Sequence, residues 1–333
     1  MQLQKGWNWV SHNMQEEVSS TRLTPYAQTL ASQTATATRD ADNGWTGKLS
    51  DLLPTEGYKV EMKQATDVTL RGTLFDVNTA VTLQEGWNWK GFPLYNATAL
   101  EAALEHYAPQ EGDAIVGKEG FSVYANDAWR RTLNVLTPGR AYMMYVSAPQ
   151  SFVWNSLAPT SLTRKSKVYA APETATLERS LEMDLHAYPD VMSVIASVMI
   201  DEEILNPANV TIAAFCGETC RGVSEVVDGK FYINVHGVAN DEIRFALLNA
   251  AGEEIWMSER LTFVPLKILG SHNEPYVLHS DASTAVMPLV GVTPVKVSYF
   301  NLSGQQISQP QSGFYLQRTT YSNGYVQTRK VMR

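Results

Sequence analysis

The sequence is poor in the residues on which metal and redox chemistry depend. Two cysteines occur in 333 residues, and the six histidines stand singly. No stretch offers the spacing of a zinc or iron–sulfur framework. Charge is sparse as well: 18% of residues are Asp, Glu, Lys or Arg, and 26 Lys+Arg against 34 Asp+Glu leave a formal net charge of -8. A basic footprint for holding phosphates is missing, which argues against a nucleic-acid partner. There is no apolar run of about 18 residues, so no transmembrane helix is expected. A glycine-rich phosphate loop, His-Glu-x-x-His, Gly-x-Ser-x-Gly and Cys-x-x-Cys are all absent. The expectation is a chain that is not an enzyme, with no catalytic residue, no cofactor site and no metal site.

What is present favours β-structure. Hydrophobic residues make up 44% of the chain, enough for real cores, and 15 Tyr and 8 Trp accompany abundant Thr. The length suits two or three domains at roughly 100–200 residues each.

An internal duplication is the most specific signal. Leu3-Gln4-Lys5-Gly6-Trp7-Asn8-Trp9 returns as Leu83-Gln84-Glu85-Gly86-Trp87-Asn88-Trp89, with six of seven positions identical. Trp45, Leu49, Leu53, Pro54 and Tyr58 then align with Trp129, Leu133, Thr137, Pro138 and Tyr142, four residues further out of step, as a loop insertion would produce. Residues 1–78 and 79–165 are therefore expected to share one fold of short strands and one short helix. In the second copy Thr98 and Glu101 read as a capping box, with Leu100, Ala103, Leu104 and Tyr107 on one helical face. In the first, Thr24 as N-cap before Pro25 leads into a weaker helix through Leu30. Tyr58–Met62 and Ala141–Val146 read as strands. The chain enters the first motif almost at once after Met1, which suggests a fragment of a longer parent whose signal peptide has been cut away.

Trp7 and Trp9, and Trp87 and Trp89, flank an asparagine, so on a strand each pair shares a face. Two roles fit. The rings supply the core of a small unit, or they form a ligand-binding platform on which the C–H face of a sugar stacks.

Beyond a polar, turn-like stretch at Ser161–Lys167, residues 175–282 carry apolar runs at Met192–Ile200, Val210–Phe215, Val223–Val227, Phe231–Val235, Glu242–Leu248 and Arg260–Phe263. Asp228-Gly229 between two of them is a strong hairpin signal. The pattern predicts an antiparallel, immunoglobulin-like β-sandwich. Cys216 and Cys220 bracket a three-residue turn there, where a disulfide, two free thiols, or a reactive or metal-binding pair all remain open.

Residues 285–333 read as a small β-meander, with strand Val295–Phe300, Asn301-Leu302-Ser303-Gly304-Gln305, Gly313-Phe314-Tyr315-Leu316, a hairpin at Asn323-Gly324, and a basic closing strand. This order resembles the C-terminal domains of Bacteroidetes secreted and cell-surface proteins, including those sorted by type IX secretion. Ala213-Ala214-Phe215, Cys220-Arg221-Gly222-Val223 and Pro275-Tyr276-Val277-Leu278 resemble β-sandwich modules of the same proteins, and the Gly-Trp-Asn-Trp repeats resemble modules that accompany them. The resemblance implies an extracellular or outer-membrane-associated, non-catalytic region for adhesion or scaffolding, with an unknown surface protein or glycan as partner. The alternative is a carbohydrate-binding accessory region of a larger extracellular enzyme.

The remaining polar candidates read as structural. His106 is expected on the solvent side of the short helix, and His236 in a loop beside Gly237. Asp40-Ala41-Asp42-Asn43-Gly44 echoes a calcium loop but lacks its distal ligands, and Asp201-Glu202-Glu203 reads as a hairpin tip.

Overall fold

A computed structural model describes residues 1–23, 25–40, 44–155, 181–200, 202–208, 210–249, 254–280, 294–301, 305–309, 314–321 and 326–332. Thr24, the Ala41–Asn43 part of the acidic turn, Ser161–Lys167, Asp201, Leu302–Gly304 and Asn323-Gly324 lie outside the described residues. The chain is mainly β and divides into two compact units, Met1–Ala285 and Val286–Arg333. Among the described residues no helix is long and apolar enough to cross a membrane.

The two repeats build the same sheet. In the first, strands run in the order Gly6–Val10, Tyr58–Met62, Ala27–Ala31, Thr36–Asp40, Gly44–Gly47; in the second, Gly86–Gly91, Ala141–Val146, Ala114–Val116, Phe121–Ala125, Ala128–Arg131. Smaller pairs also correspond: Gln2–Leu3 with Thr66–Asp67 matches Val81–Leu83 with Gln150–Phe152, and Val18–Ser19 with Asp51–Leu52 matches Thr98–Ala99 with Val135–Leu136. Trp45 and Trp129 sit on equivalent edge strands. The Tyr58 and Tyr142 hydroxyls each accept an N–H five residues back, from Leu53 at 2.6 Å and Thr137 at 2.8 Å.

The helices are smaller than the sequence suggests. The second copy keeps one α-helical turn, Leu100–Ala103, and the first a 3-10 turn, Ser20–Arg22. Thr98 does not cap; its hydroxyl donates to the Asn96 carbonyl, and Glu101 instead pairs with Arg131. The helix expected after Pro25 is a strand, Ala27–Ala31, because its backbone is claimed on both sides by Tyr58–Met62 and Thr36–Asp40. Local helix propensity yields to the sheet ladder.

Residues 190–279 form one curled sheet rather than two facing sheets of an immunoglobulin-like sandwich. Its order is Glu203–Ile204, Asp190–Ile200, Lys230–Gly237, Thr219–Val227, Val210–Cys216, Glu242–Asn249, Glu254–Thr262. The nine-residue strand Thr219–Val227 joins the halves: its first part pairs with Val210–Cys216, its second with Lys230–Gly237. At the changeover stands Gly222, where a Cβ would lie 2.7 Å from the Asn234 carbonyl oxygen. Register shifts at Ala214/Phe215 and Arg244/Ala246 increase the curl. Ile268–Leu269 and Tyr276–His279 add to Asp190–Ile200 in parallel, a further departure from the antiparallel expectation. Asp228 and Gly229, both at positive φ, make the two-residue turn that their sequence predicts.

The second unit is an antiparallel meander, ordered Gln306–Ile307, Pro294–Phe300, Phe314–Tyr321, Val326–Met332. Tyr299 and Tyr315 meet edge to face at 5.8 Å.

Candidate functional site

The Gly-Trp-Asn-Trp motif is a device for starting an edge strand. Gly6 and Gly86 adopt φ of 86° and 90°, a conformation that costs a side chain-bearing residue dearly. Two residues on, the Asn8 amide donates to the carbonyls of Gln4 and Gly6 and accepts from the Gln4 N–H; Asn88 does the same with Gln84 and Gly86. Strand alternation then puts Trp7 and Trp9, or Trp87 and Trp89, on the opposite face from the asparagine.

That face is not the repeat's own core. The first repeat packs Val10, Leu30, Leu52, Tyr58, Val60 and Met62 together, and the second packs Phe92, Leu136, Tyr142, Met144 and Val146. Trp9, 1% exposed, instead joins Ala141 and Met143 of the other repeat and Val191, Ile195 and Tyr232 of the curled sheet, with Trp87 and Trp89 half-buried at its margin. Trp9 therefore welds its repeat to the other modules instead of filling its own unit, whereas Trp87 and Trp89 lie against a cluster to which their own repeat contributes Ala114, Val116, Phe121 and Val123. The units are small, but each already fills its interior with aliphatic and tyrosine side chains from the alternate positions.

The two repeats grip each other reciprocally. Ser11 N–H donates to Gly139 O at 2.9 Å and Gly91 N–H to Thr55 O at 2.8 Å, while bridges join Val10 to Arg140 and Lys90 to Glu56. Lys59 lies between Trp9 and Trp89, its Nζ 5.3 and 4.3 Å from the ring centroids, and pairs with Asp190 at the start of the curled sheet. Trp9 Nε1 donates to Pro189 O at 2.9 Å, and Lys118 Nζ to Tyr188 O at 2.6 Å. Burial, then the nearby Lys59 charge, pulls the Lys118 pKa down to about 7. His236 is not a loop residue: it sits buried in strand Lys230–Gly237, where desolvation lowers its pKa to about 3. His106 is exposed, on the turn after the helix.

Edge-strand backbone is covered differently in the two copies. Trp7 N–H donates to His186 O at 2.6 Å, and the His186 ring bonds Trp7 O at 2.8 Å. In the second copy the Gln33 side-chain amide donates to Trp87 O at 2.7 Å and accepts from Trp89 N–H at 3.0 Å.

Between the second repeat and the curled sheet lies a cleft of about 450 Å³, within the size range of small-molecule sites. Trp87, Tyr124 and Tyr145 line one side, and Ile195, Leu266 and Ile268 the other. Trp87 and Tyr145 meet edge to face at 5.5 Å. Leu266 is held at φ 59° in the third position of the turn Val264–Lys267, closed by Lys267 N–H to Val264 O at 3.1 Å, with Pro265 before it. Two charged side chains, Glu111 and Lys267, line the cleft, and the Glu111 carboxylate is held in place. One carboxylate oxygen accepts from Asn273 Nδ2 at 3.1 Å and the other from Asn126 N–H at 3.0 Å, while Asn126 Nδ2 donates to Asn273 Oδ1 at 2.7 Å. The His272 ring bonds the Tyr232 hydroxyl at 2.9 Å.

No family model, curated protein or solved structure matches the chain.

Of the four tryptophans singled out in the sequence, Trp87 alone lines the cleft; Trp7 meets His186, and Trp9 and Trp89 flank Lys59. Glu111, Tyr124, Tyr145 and Leu266 carry no sequence signal beyond, for the last, a leucine after Pro265. Cys216 and Cys220 are free thiols. The turn between them has two residues, Gly217 and Glu218, so Cys216 opposes Thr219 and Cys220 opposes Phe215. Cys220 shares the buried face of Phe215, and Cys216 faces the other way, which removes the geometry expected of a bridge.

Proposed function

We propose that the chain is a non-catalytic binding region of a secreted or cell-surface protein, acting in adhesion or scaffolding, with a C-terminal meander of the kind that type IX sorting domains resemble. The observation that carries this reading is the aromatic cleft. Two repeats and a curled sheet combine into one compact unit, and between the second repeat and the sheet an opening is left in which Glu111 and His272 are bonded to neighbouring side chains. Glu111 ties the second repeat to the curled sheet through Asn273, and His272 is bonded to Tyr232 within the sheet, uses that suit holding a ligand more than moving its protons. A second reading, an accessory carbohydrate-binding region of a larger extracellular enzyme, is favoured by the Trp87 ring in the cleft wall.

The test is display of the whole chain on a non-adherent bacterial surface over protein- and glycan-coated plates. Retention that Trp87→Ala abolishes is the expected outcome. Absence of retention on every coat, or polysaccharide cleavage by the isolated chain, overturns the reading.

A further inference from the structure

We infer that the cleft between the second repeat and the curled sheet takes a single pyranose ring of a saccharide, stacked on Trp87 and hydrogen-bonded by Glu111. This rests on the cleft being a ligand site, and it names the ligand class.

The argument starts from the mixture of surfaces. A purely apolar guest would match Trp87, Tyr145, Leu266 and Ile268 but would crowd water from the exposed Glu111 carboxylate and offer it no donor in return. A small anion could use Lys267 but would be repelled by Glu111 and would leave the apolar walls unmatched. A pyranose presents an apolar C–H face and, around its rim, hydroxyls that donate as well as accept, so both kinds of wall are satisfied by one rigid ring.

Glu111 is placed for such a rim. Its two oxygens are each pinned by one donor, Asn273 Nδ2 and the Asn126 N–H, and each retains a second acceptor direction. The carboxylate is therefore oriented before any ligand arrives, which lowers the ordering cost of binding. Asn126 is set in this position by a two-residue hairpin turn, in which it and Asp127 both have positive φ, 51° and 58°, joining strands Phe121–Ala125 and Ala128–Arg131. Opposite, the turn that holds Leu266 at positive φ costs energy for a leucine, and what it achieves is an aliphatic wall facing the tryptophan side. A stacking ring, a facing aliphatic wall and a pre-oriented acceptor thus border one cleft.

Saturation-transfer NMR on the whole chain provides the test, with cellobiose, lactose, maltose and N,N′-diacetylchitobiose as saccharide probes and N-acetylphenylalaninamide as an apolar peptide probe. We expect at least one saccharide to receive transfer, strongest at protons of one C–H face. Trp87→Ala should weaken its binding at least tenfold, and Glu111→Gln severalfold with the stacked-face pattern kept. Trp87→Phe, which retains a ring, covers the case in which the alanine variant fails to fold; it should bind measurably, between the two. Transfer to a saccharide that persists undiminished in a folded Trp87→Ala chain overturns the site assignment. Transfer to N-acetylphenylalaninamide alone, lost in Trp87→Ala, overturns the pyranose while leaving the cleft as a binding site. No transfer to any probe by the folded chain overturns the pyranose and the binding reading together.

Discussion

Lys59 of the first repeat holds its ammonium 4.3 Å from the centre of the Trp89 ring of the second. Trp9 flanks it on the other side, and Asp190 of the curled sheet receives its charge, so one side chain touches all three parts of the larger unit. Removing one member of a buried ion pair strands the other, typically at about 3–5 kcal/mol. Lys59→Met should therefore lower the urea midpoint sharply. Lys59→Met combined with Asp190→Asn should recover most of the loss, since no stranded charge remains; equal destabilisation by the single and the double variant would contradict this account.

Gly91 stands where the repeats touch, and a Cβ there would lie 2.4 Å from Ser11 Cβ and 2.9 Å from Glu56 O. Overpacking of this kind costs about 1–3 kcal/mol. Gly91→Ala should lower the thermal midpoint, and Ser11→Gly in the same chain should restore part of it. Calorimetry of the two variants decides, and a Gly91→Ala chain as stable as the parent would show that the contact yields freely.

Two buried bases each make stability rise with pH, in successive windows. His236, near Lys118, His186 and Arg221, has its pKa depressed to about 3 from 6.5, chiefly by burial. Below pH 6.5 the unfolded chain takes up a proton that the folded chain refuses, so stability falls as pH drops from there toward 3. Lys118, depressed to about 7 from 10.5, acts higher: between these values the unfolded chain alone holds the proton, and stability rises with pH through that window. Urea midpoints from about pH 4 to about pH 9 should show both slopes. His236→Asn should flatten the acid limb and Lys118→Met the alkaline one; a slope that survives its substitution refutes the assignment.

The thiols give a chemical test of the hairpin register. Burial pushes the Cys220 pKa up to about 11, so the native thiol should react slowly, while the half-exposed Cys216 reacts first. Mass spectrometry after alkylation without reductant should find one fast and one slow adduct in native protein and two in denaturant. A species carrying no adduct in denaturant until reductant is added would mean a bridge.

The duplication was legible because it is written in large, rare residues: Trp7, Asn8 and Trp9 recur, and so do Trp45, Pro54 and Tyr58. The Asp228-Gly229 turn was legible for the same reason, since few residues accept its backbone angles. Alternation along Gly6–Val10 told that the two tryptophans share a face. It was silent on what that face meets, because the partners Val191, Ile195 and Tyr232 come from a distant segment. The curl was hidden likewise: strand Thr219–Val227 looks like any other, and that it changes neighbours near Gly222 is a property of the assembled sheet. The cleft was the least legible part, being made of ordinary residues such as Glu111 and Leu266 brought together by loops.

The reciprocal contact between the repeats is self-complementary, the kind of interface that two-fold dimers use to close. The curled sheet, by contrast, exists once per chain, and it breaks that symmetry. Of two equivalent tryptophans, Trp7 is engaged through its backbone by His186 of the segment entering the sheet, whereas Trp87 opens on the cleft. A duplicated half with an unduplicated cover thus places the two equivalent tryptophans in different surroundings. With the cleft as the proposed ligand site, the expected stoichiometry is one ligand per chain, and avidity would then come from many chains side by side, not from the repeat itself.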